Sequence, residues 1–224
     1  MGQCPISSSS ISYNRRMREY PTTAQDAPTL VLAHGAGAGH DHPWMRRVAE
    51  GLAARGVRVV TFNFPYTEAG RKVPDRGPVL EEAYSAIWRE VAASANGPAF
   101  AGGKSMGGRM ASHVAARHAF TPPPAGLIFF GYPLHPPGKP EQRRDKHLAA
   151  IDVQMLFLSG TTDPFGSPDE LRELMKALPL AALELFDGGD HSIVAGRRAD
   201  PNGQLLERAM DTAAGWMRTH TNYA

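Results

Sequence analysis

Ala99-Phe100-Ala101-Gly102-Gly103-Lys104-Ser105-Met106-Gly107-Gly108-Arg109-Met110 runs from a short apolar segment, through paired glycines and one serine, into a helical pattern that Val114 continues. A strand that turns sharply into a helix lifts a serine hydroxyl beyond the sheet edge, and glycines beside it leave room where a side chain would strike backbone. The helix starting there offers unpaired N–H groups and the positive end of its dipole to charge developing on a reacting oxygen. Taken alone, the stretch reads equally as a tight turn in which Ser105 caps a helix, since serine is a preferred cap. A phosphate-binding loop is disfavoured, because Pro98 stands where that motif requires its first glycine.

Outward from this turn the chain alternates. Thr29-Leu-Val-Leu-Ala-His-Gly35, Val57 to Phe64, Ala99 to Gly102, Leu127 onward, Met155 to Ser159 and Leu183 to Phe186 read as six short strands of a buried sheet. Helical spacing fills the intervals at Trp44 to Arg55, Val79 to Ala93, Ser105 to His118, and about 168 to 178 and 204 to 218. The alternation predicts an α/β fold with a mainly parallel sheet, helices on both faces and right-handed crossovers. Such sheets bind ligands at the carboxyl ends of their strands, where two Pro-rich insertions, Phe64 to Pro78 and Tyr132 to Lys139, also fall. The stretch from Leu127 to Met155 is too short for a large cap domain. One domain is expected over 28–224, preceded by a polar, Ser-rich segment over 1–27 that offers an edge strand or a hairpin.

A serine hydroxyl needs a base to take its proton, and the base needs a carboxylate to fix its tautomer. Of nine histidines, His191 follows the last strand in Phe186-Asp187-Gly-Gly-Asp190-His191-Ser192, on a loop able to reach Ser105. Asp163 follows the strand at Met155 to Ser159, in Gly160-Thr161-Thr162-Asp163-Pro164-Phe165-Gly166. The order Ser105, Asp163, His191 is the chain order of hydrolases built around such a serine turn. Asp190 adjoins His191 and cannot easily turn back to its ring, Asp187 is a further rival, and Asp169 reads as charge in a first helical turn. Asp163 also reads as a plain turn aspartate before proline.

The loop His34-Gly35-Ala36-Gly37-Ala38-Gly39 supplies small residues at the end of the first strand, and Ala36 N–H with Met106 N–H is the expected oxyanion pair. Its glycine spacing fails the dinucleotide pattern, because His40 occupies the place of the last glycine. His34 is expected to hold the loop. Gly35, Lys104, Tyr66, Tyr132 and Phe165 are the substrate-facing candidates. His40, Asp41 and His42 lack metal-ligand spacing, so neither metal nor cofactor is expected. Arg143, Arg144 and Lys146 read as a solvated basic face, with recognition of acidic substrates as the lesser reading.

Composition narrows the partners. With 24 Lys and Arg against 22 Asp and Glu, the net charge of +2 announces neither nucleic acid nor an anionic membrane. Cys4 is the only cysteine, which excludes an internal disulfide framework and points to a reducing, cytoplasmic location. The first residues do not read as a secretory signal, and Ile6 stands where myristoylation wants Ser or Thr. No stretch approaches the roughly 20 apolar residues of a membrane span. A small acyl substrate is the expected partner of a monomer or homodimer.

His34-Gly-Ala-Gly-Ala-Gly39, Asn63-Phe-Pro-Tyr66, Gly103-Lys-Ser-Met-Gly-Gly-Arg109, Gly131-Tyr-Pro-Leu134, Gly160-Thr-Thr-Asp-Pro-Phe-Gly166 and Gly189-Asp-His-Ser192 together resemble the α/β-hydrolase superfamily. Within it they are most similar to dienelactone-hydrolase-like proteins, in the branch of testis-expressed and chromatin-complex-associated hydrolase-like domains. The resemblance spans about residues 29 to 218 and implies the fold, the Ser-His-Asp triad and the missing cap. Dienelactone hydrolases carry cysteine where this chain has Ser105, so their particular activity is not implied. The expected reaction is hydrolysis of a small carboxylic ester or thioester. A non-catalytic scaffold with a vestigial triad, which some members of the branch suggest, and a peptidase or amidase using the same residues are the alternatives.

Overall fold

The computed structural model describes residues 16–196, 198–200 and 202–220. The chain runs through β1 (Met17–Tyr20), β2 (Thr29–Ala33), α1 (Pro43–Ala54), β3 (Arg58–Phe62), α2 (Pro65–Glu68), α3 (Gly77–Ala92), β4 (Ala99–Lys104), α4 (Met106–Ala116) and β5 (Gly126–Phe130). A short 3-10 turn at Lys146–Ala150 leads to β6 (Met155–Gly160), α5 (Pro168–Lys176), β7 (Ala181–Phe186) and α6 (Gln204–Thr219). The strands form one seven-stranded sheet in the order β1-β3-β2-β4-β5-β6-β7. All neighbours are parallel except β1, which pairs antiparallel with β3 at the edge.

Every residue of β2, β5 and β6 is buried, as a parallel sheet covered on both faces requires. Alternate side chains go to opposite layers. Val31 and Ala33 meet Tyr84, Trp88, Met110 and Val114 beneath α3 and α4, whereas Leu30 and Leu32 meet Val48, Leu52, Met210 and Met217 beneath α1 and α6. The Tyr84 hydroxyl lies between β2 and β4. It accepts from Gly102 N–H at 2.8 Å and reaches the Val31 and Gly102 carbonyls at 2.7 and 2.8 Å. This bond ties the strand that carries the serine turn to its neighbour.

Sequence and structure differ at several element ends and in two respects that bear on the layout of the sheet and its loops. The Pro-rich insertion after β3 contains a helical turn, α2, because Pro65 at the first helical position has the backbone angle a helix needs and lacks only a donor that would be unpaired anyway. β7 begins two small residues ahead of the expected Leu183, since alanines carry a weak strand signal on a half-exposed edge. The segment 1–27 lies largely outside the described residues; its described part supplies β1. Between β5 and β6 the chain carries only the 3-10 turn, so no large cap covers the carboxyl edge. Among the described residues no helix is long and apolar enough to cross a membrane.

Candidate active site

β4 ends at Lys104 and α4 begins at Met106, leaving Ser105 alone in the bend with φ 52° and ψ −116°. A non-glycine residue at positive φ is strained and persists only where its surroundings fix it. Here Ser105 N–H donates to the Phe130 carbonyl and the Ser105 carbonyl accepts from Arg109 N–H, each at 3.0 Å. The flanking glycines let the bend close. A Cβ on Gly103 would lie 2.6 Å from Gly108 N, and one on Gly107 would press on the Ala33 carbonyl.

Two loops from the far half of the sheet meet this serine. His191 Nδ1 lies 2.8 Å from Asp163 Oδ2, and His191 Nε2 lies 2.9 Å from Ser105 Oγ. Because a carboxylate only accepts, Nδ1 carries the proton and Nε2 is free to accept from the serine hydroxyl. Asp163 is further fixed by Phe165 N–H, which donates to Oδ1 at 2.9 Å, and its side chain is only 1% exposed. The Phe165 ring stacks on the imidazole with centroids 4.2 Å apart. The rival carboxylates are engaged elsewhere. Asp190 accepts from Ser192 N–H and Val194 N–H and so shapes the histidine loop; Asp187 accepts from Thr161, and Asp169 pairs with Arg172.

The loop after β2 is held by His34, whose Nδ1 donates to the Gly35 carbonyl at 2.8 Å while Nε2 accepts from Phe64 N–H at 3.2 Å. Burial pushes the His34 pKa down to about 4, so the ring stays neutral and this bonding pattern is fixed at neutral pH. Ala36 and Met106 both line the cavity over Ser105, and among the described residues neither N–H has a hydrogen-bond partner. Two free donors beside a nucleophile suit a developing oxyanion.

That cavity, about 350 Å³, is walled by Gly35, Trp44, Lys104, Arg109, Arg144 and Phe165, among others. Gly35, Lys104 and Phe165, three of the substrate-facing candidates, line it. Tyr66 and Tyr132 do not, and their expected contact with substrate is corrected. Tyr66 is fully buried, and its hydroxyl accepts from Gly37 N–H at 3.3 Å, supporting the glycine loop from behind. Tyr132 is 2% exposed and its hydroxyl bonds Ser112 Oγ and the Arg144 carbonyl, at 3.1 and 3.3 Å. Large rings with one polar tip serve the core when that tip finds a partner there. Among the histidines set aside as metal ligands, His42 lines the cavity and accepts Trp44 N–H at the start of α1, while His40 turns to Asp41.

Trp44 and Arg109 were not recognised as site residues from sequence, and Arg144 was read there chiefly as part of a solvated basic face. Trp44 belongs to the helical pattern of α1, but its indole N–H donates to the Ser192 carbonyl at 2.9 Å and ties α1 to the histidine loop. The Lys104 ammonium lies 5.9 Å from the Trp44 ring centre. Of the basic triplet, Arg143 pairs with Asp145 and Glu170, Lys146 is exposed, and Arg144 faces the cavity. A larger hollow, about 820 Å³, lies at the amino ends of the strands between Pro122–Pro124 and Asp152–Gln154, the edge opposite Ser105.

This topology, with a serine bend after β4 and loops of β6 and β7 converging on it, defines an α/β-hydrolase architecture. Residues 26–218 match the family described as alpha/beta hydrolase domain, and the chain belongs to that family. Among solved structures it is similar to a dienelactone hydrolase from Anabaena variabilis, with a TM-score of 0.70 at 16% identity over 92% of this chain and 93% of that one. It is also similar to a monoacylglycerol lipase from Paleococcus ferrophilus, with a TM-score of 0.66 at 16% identity over 91% and 98%. An α/β serine hydrolase without lid from Xanthomonas campestris matches with a TM-score of 0.61 at 18% identity over 89% and 82%. At such identities the likeness is one of fold.

Proposed function

We propose that the protein is a serine hydrolase acting on a small carboxylic ester or thioester, with Ser105 as nucleophile, His191 as general base and Asp163 as the group that orients the base. The observation that carries this reading is the unbroken line of hydrogen bonds Asp163–His191–Ser105, ending at an open cavity. His191 Nε2 takes the hydroxyl proton as Ser105 Oγ attacks the carbonyl, and Asp163 stabilises the imidazolium. The resulting oxyanion lies against Ala36 N–H and Met106 N–H. Collapse expels the alcohol or thiol, which receives the proton from His191, and leaves an acyl group on Ser105. Water, deprotonated by His191, then releases the acid. A fluorophosphonate probe is expected to label the protein and not Ser105→Ala, and para-nitrophenyl butyrate is expected to be hydrolysed only by the former. Equal labelling of both proteins, or absence of labelling and turnover in the unaltered one, overturns the reading.

A further inference from the structure

Lys104, Arg109 and Arg144 reach one cavity wall from two parts of the chain. Lys104 directly precedes Ser105, Arg109 lies one turn into α4, and Arg144 comes from the connection between β5 and β6. Among the described residues no Asp or Glu lines that cavity, and none of the three cations forms an ion pair. Their neighbours differ. Arg143 has Asp145 and Glu170, and Arg117, farther along the chain than Arg109 and just past α4, takes Glu81 of α3 at 2.9 Å. Among the described residues, the buried Arg109 Nε has no hydrogen-bond partner. A buried donor on a charged group is costly to leave unsatisfied.

The electrostatics agree with the geometry. Burial and the nearby Arg144 both lower the Arg109 pKa, so the two guanidinium groups oppose one another. Burial brings Lys104 down to about 8, against the attraction of Asp163 and Asp190. An anion entering the cavity would relieve this repulsion, and guanidinium forks match carboxylate and phosphate oxygens. The backbone of Arg144 is fixed in place: its N–H donates to the Leu134 carbonyl at 2.8 Å, and its carbonyl accepts from the buried Tyr132 hydroxyl.

Resting on the hydrolase reading of Ser105, we propose that Lys104, Arg109 and Arg144 form a subsite for an anionic group, so that the substrates are esters bearing a carboxylate or phosphate a few bonds from the scissile carbonyl. The cavity volume of about 350 Å³ admits a compact ester of this kind.

Two ester pairs differing in charge test it: para-nitrophenyl hydrogen glutarate against para-nitrophenyl pentanoate, and butyryl glycerol phosphate against monobutyrin. The anionic member of at least one pair is expected to have kcat/KM about tenfold higher or more, the worth of one charge-assisted hydrogen bond. Which pair responds distinguishes carboxylate from phosphate. The ratio is expected to fall with added salt, to approach unity in Arg109→Gln/Arg144→Gln, and to survive partly in Arg144→Lys. Neutral esters cleaved as well as both anionic ones, or a preference that the double variant retains, overturn the subsite and leave the hydrolase reading standing. If no ester is cleaved, the hydrolase reading fails, and calorimetric titration of glutarate and inorganic phosphate into Ser105→Ala decides the subsite. Binding abolished by the two Gln substitutions supports it, and absence of binding by both anions overturns it.

Discussion

The tautomer of His191 depends on one acceptor. Asp163 Oδ2 can only receive a proton, so Nε2 faces Ser105 without one. Asp163→Asn places an amide there, whose NH2 favours the opposite tautomer. With the fold retained, kcat is expected to fall by about 10⁴ while circular dichroism is unchanged, since a misdirected ring cannot take the serine proton. The positions of Ser105, Asp163 and His191 were legible because backbone punctuation marks each one: paired glycines at 103 and 107, proline at 164, glycines at 188 and 189. Trp44, Arg109 and Arg144 carry no such mark. Whether a helical or loop side chain turns toward a cavity is decided by elements distant in sequence, and the same blindness assigned Tyr66 and Tyr132 to the substrate when their hydroxyls bond inward.

Among the elements, α5 shows how local chemistry fixes an end that the active-site loop depends on. Ser167 Oγ accepts from Glu170 N–H at 3.3 Å, and Glu170 in return accepts from Ser167 N–H at 2.9 Å, a reciprocal cap just after the Asp163 loop. Burial raises the Glu170 pKa, but hydrogen bonds from Ser167 and His135 outweigh it and hold the carboxyl at about 2. Ser167→Ala is expected to cost about 1 kcal/mol in urea unfolding, the usual loss for a serine cap. The strands of the central sheet were readable from their apolar runs because both faces are covered. The helical turn α2 and the 3-10 turn at Lys146–Ala150 were not, for a segment of four or five residues is too short to display a helical period.

Across the whole molecule, acid should unfold the protein through its histidines. Burial depresses His34 and His147 from 6.5 to about 4, and lowers His40 and His113 as well. In the unfolded chain these rings take up protons near 6.5, whereas in the folded protein His34 and His147 resist until about 4 and His40 and His113 are held below their ordinary value. The unfolded state then binds more protons across that interval, so stability falls as pH falls through it and is flat just above it. Denaturant midpoints measured from pH 7 downward are expected to show this decline, and His147→Gln to remove about one proton from its slope. Charge and composition could not foretell it, because they do not say which rings are buried. Trp44 carries a different consequence. Its indole lies in the cavity wall beside Lys104, while Trp88 is buried beneath α3 and Trp216 packs on Phe100 and His220. One chromophore of the three thus sits where an incoming molecule would perturb it. Intrinsic fluorescence is expected to change on adding glutarate to Ser105→Ala and to stay constant when Trp44→Phe is introduced as well, giving an optical readout of occupancy without a dye.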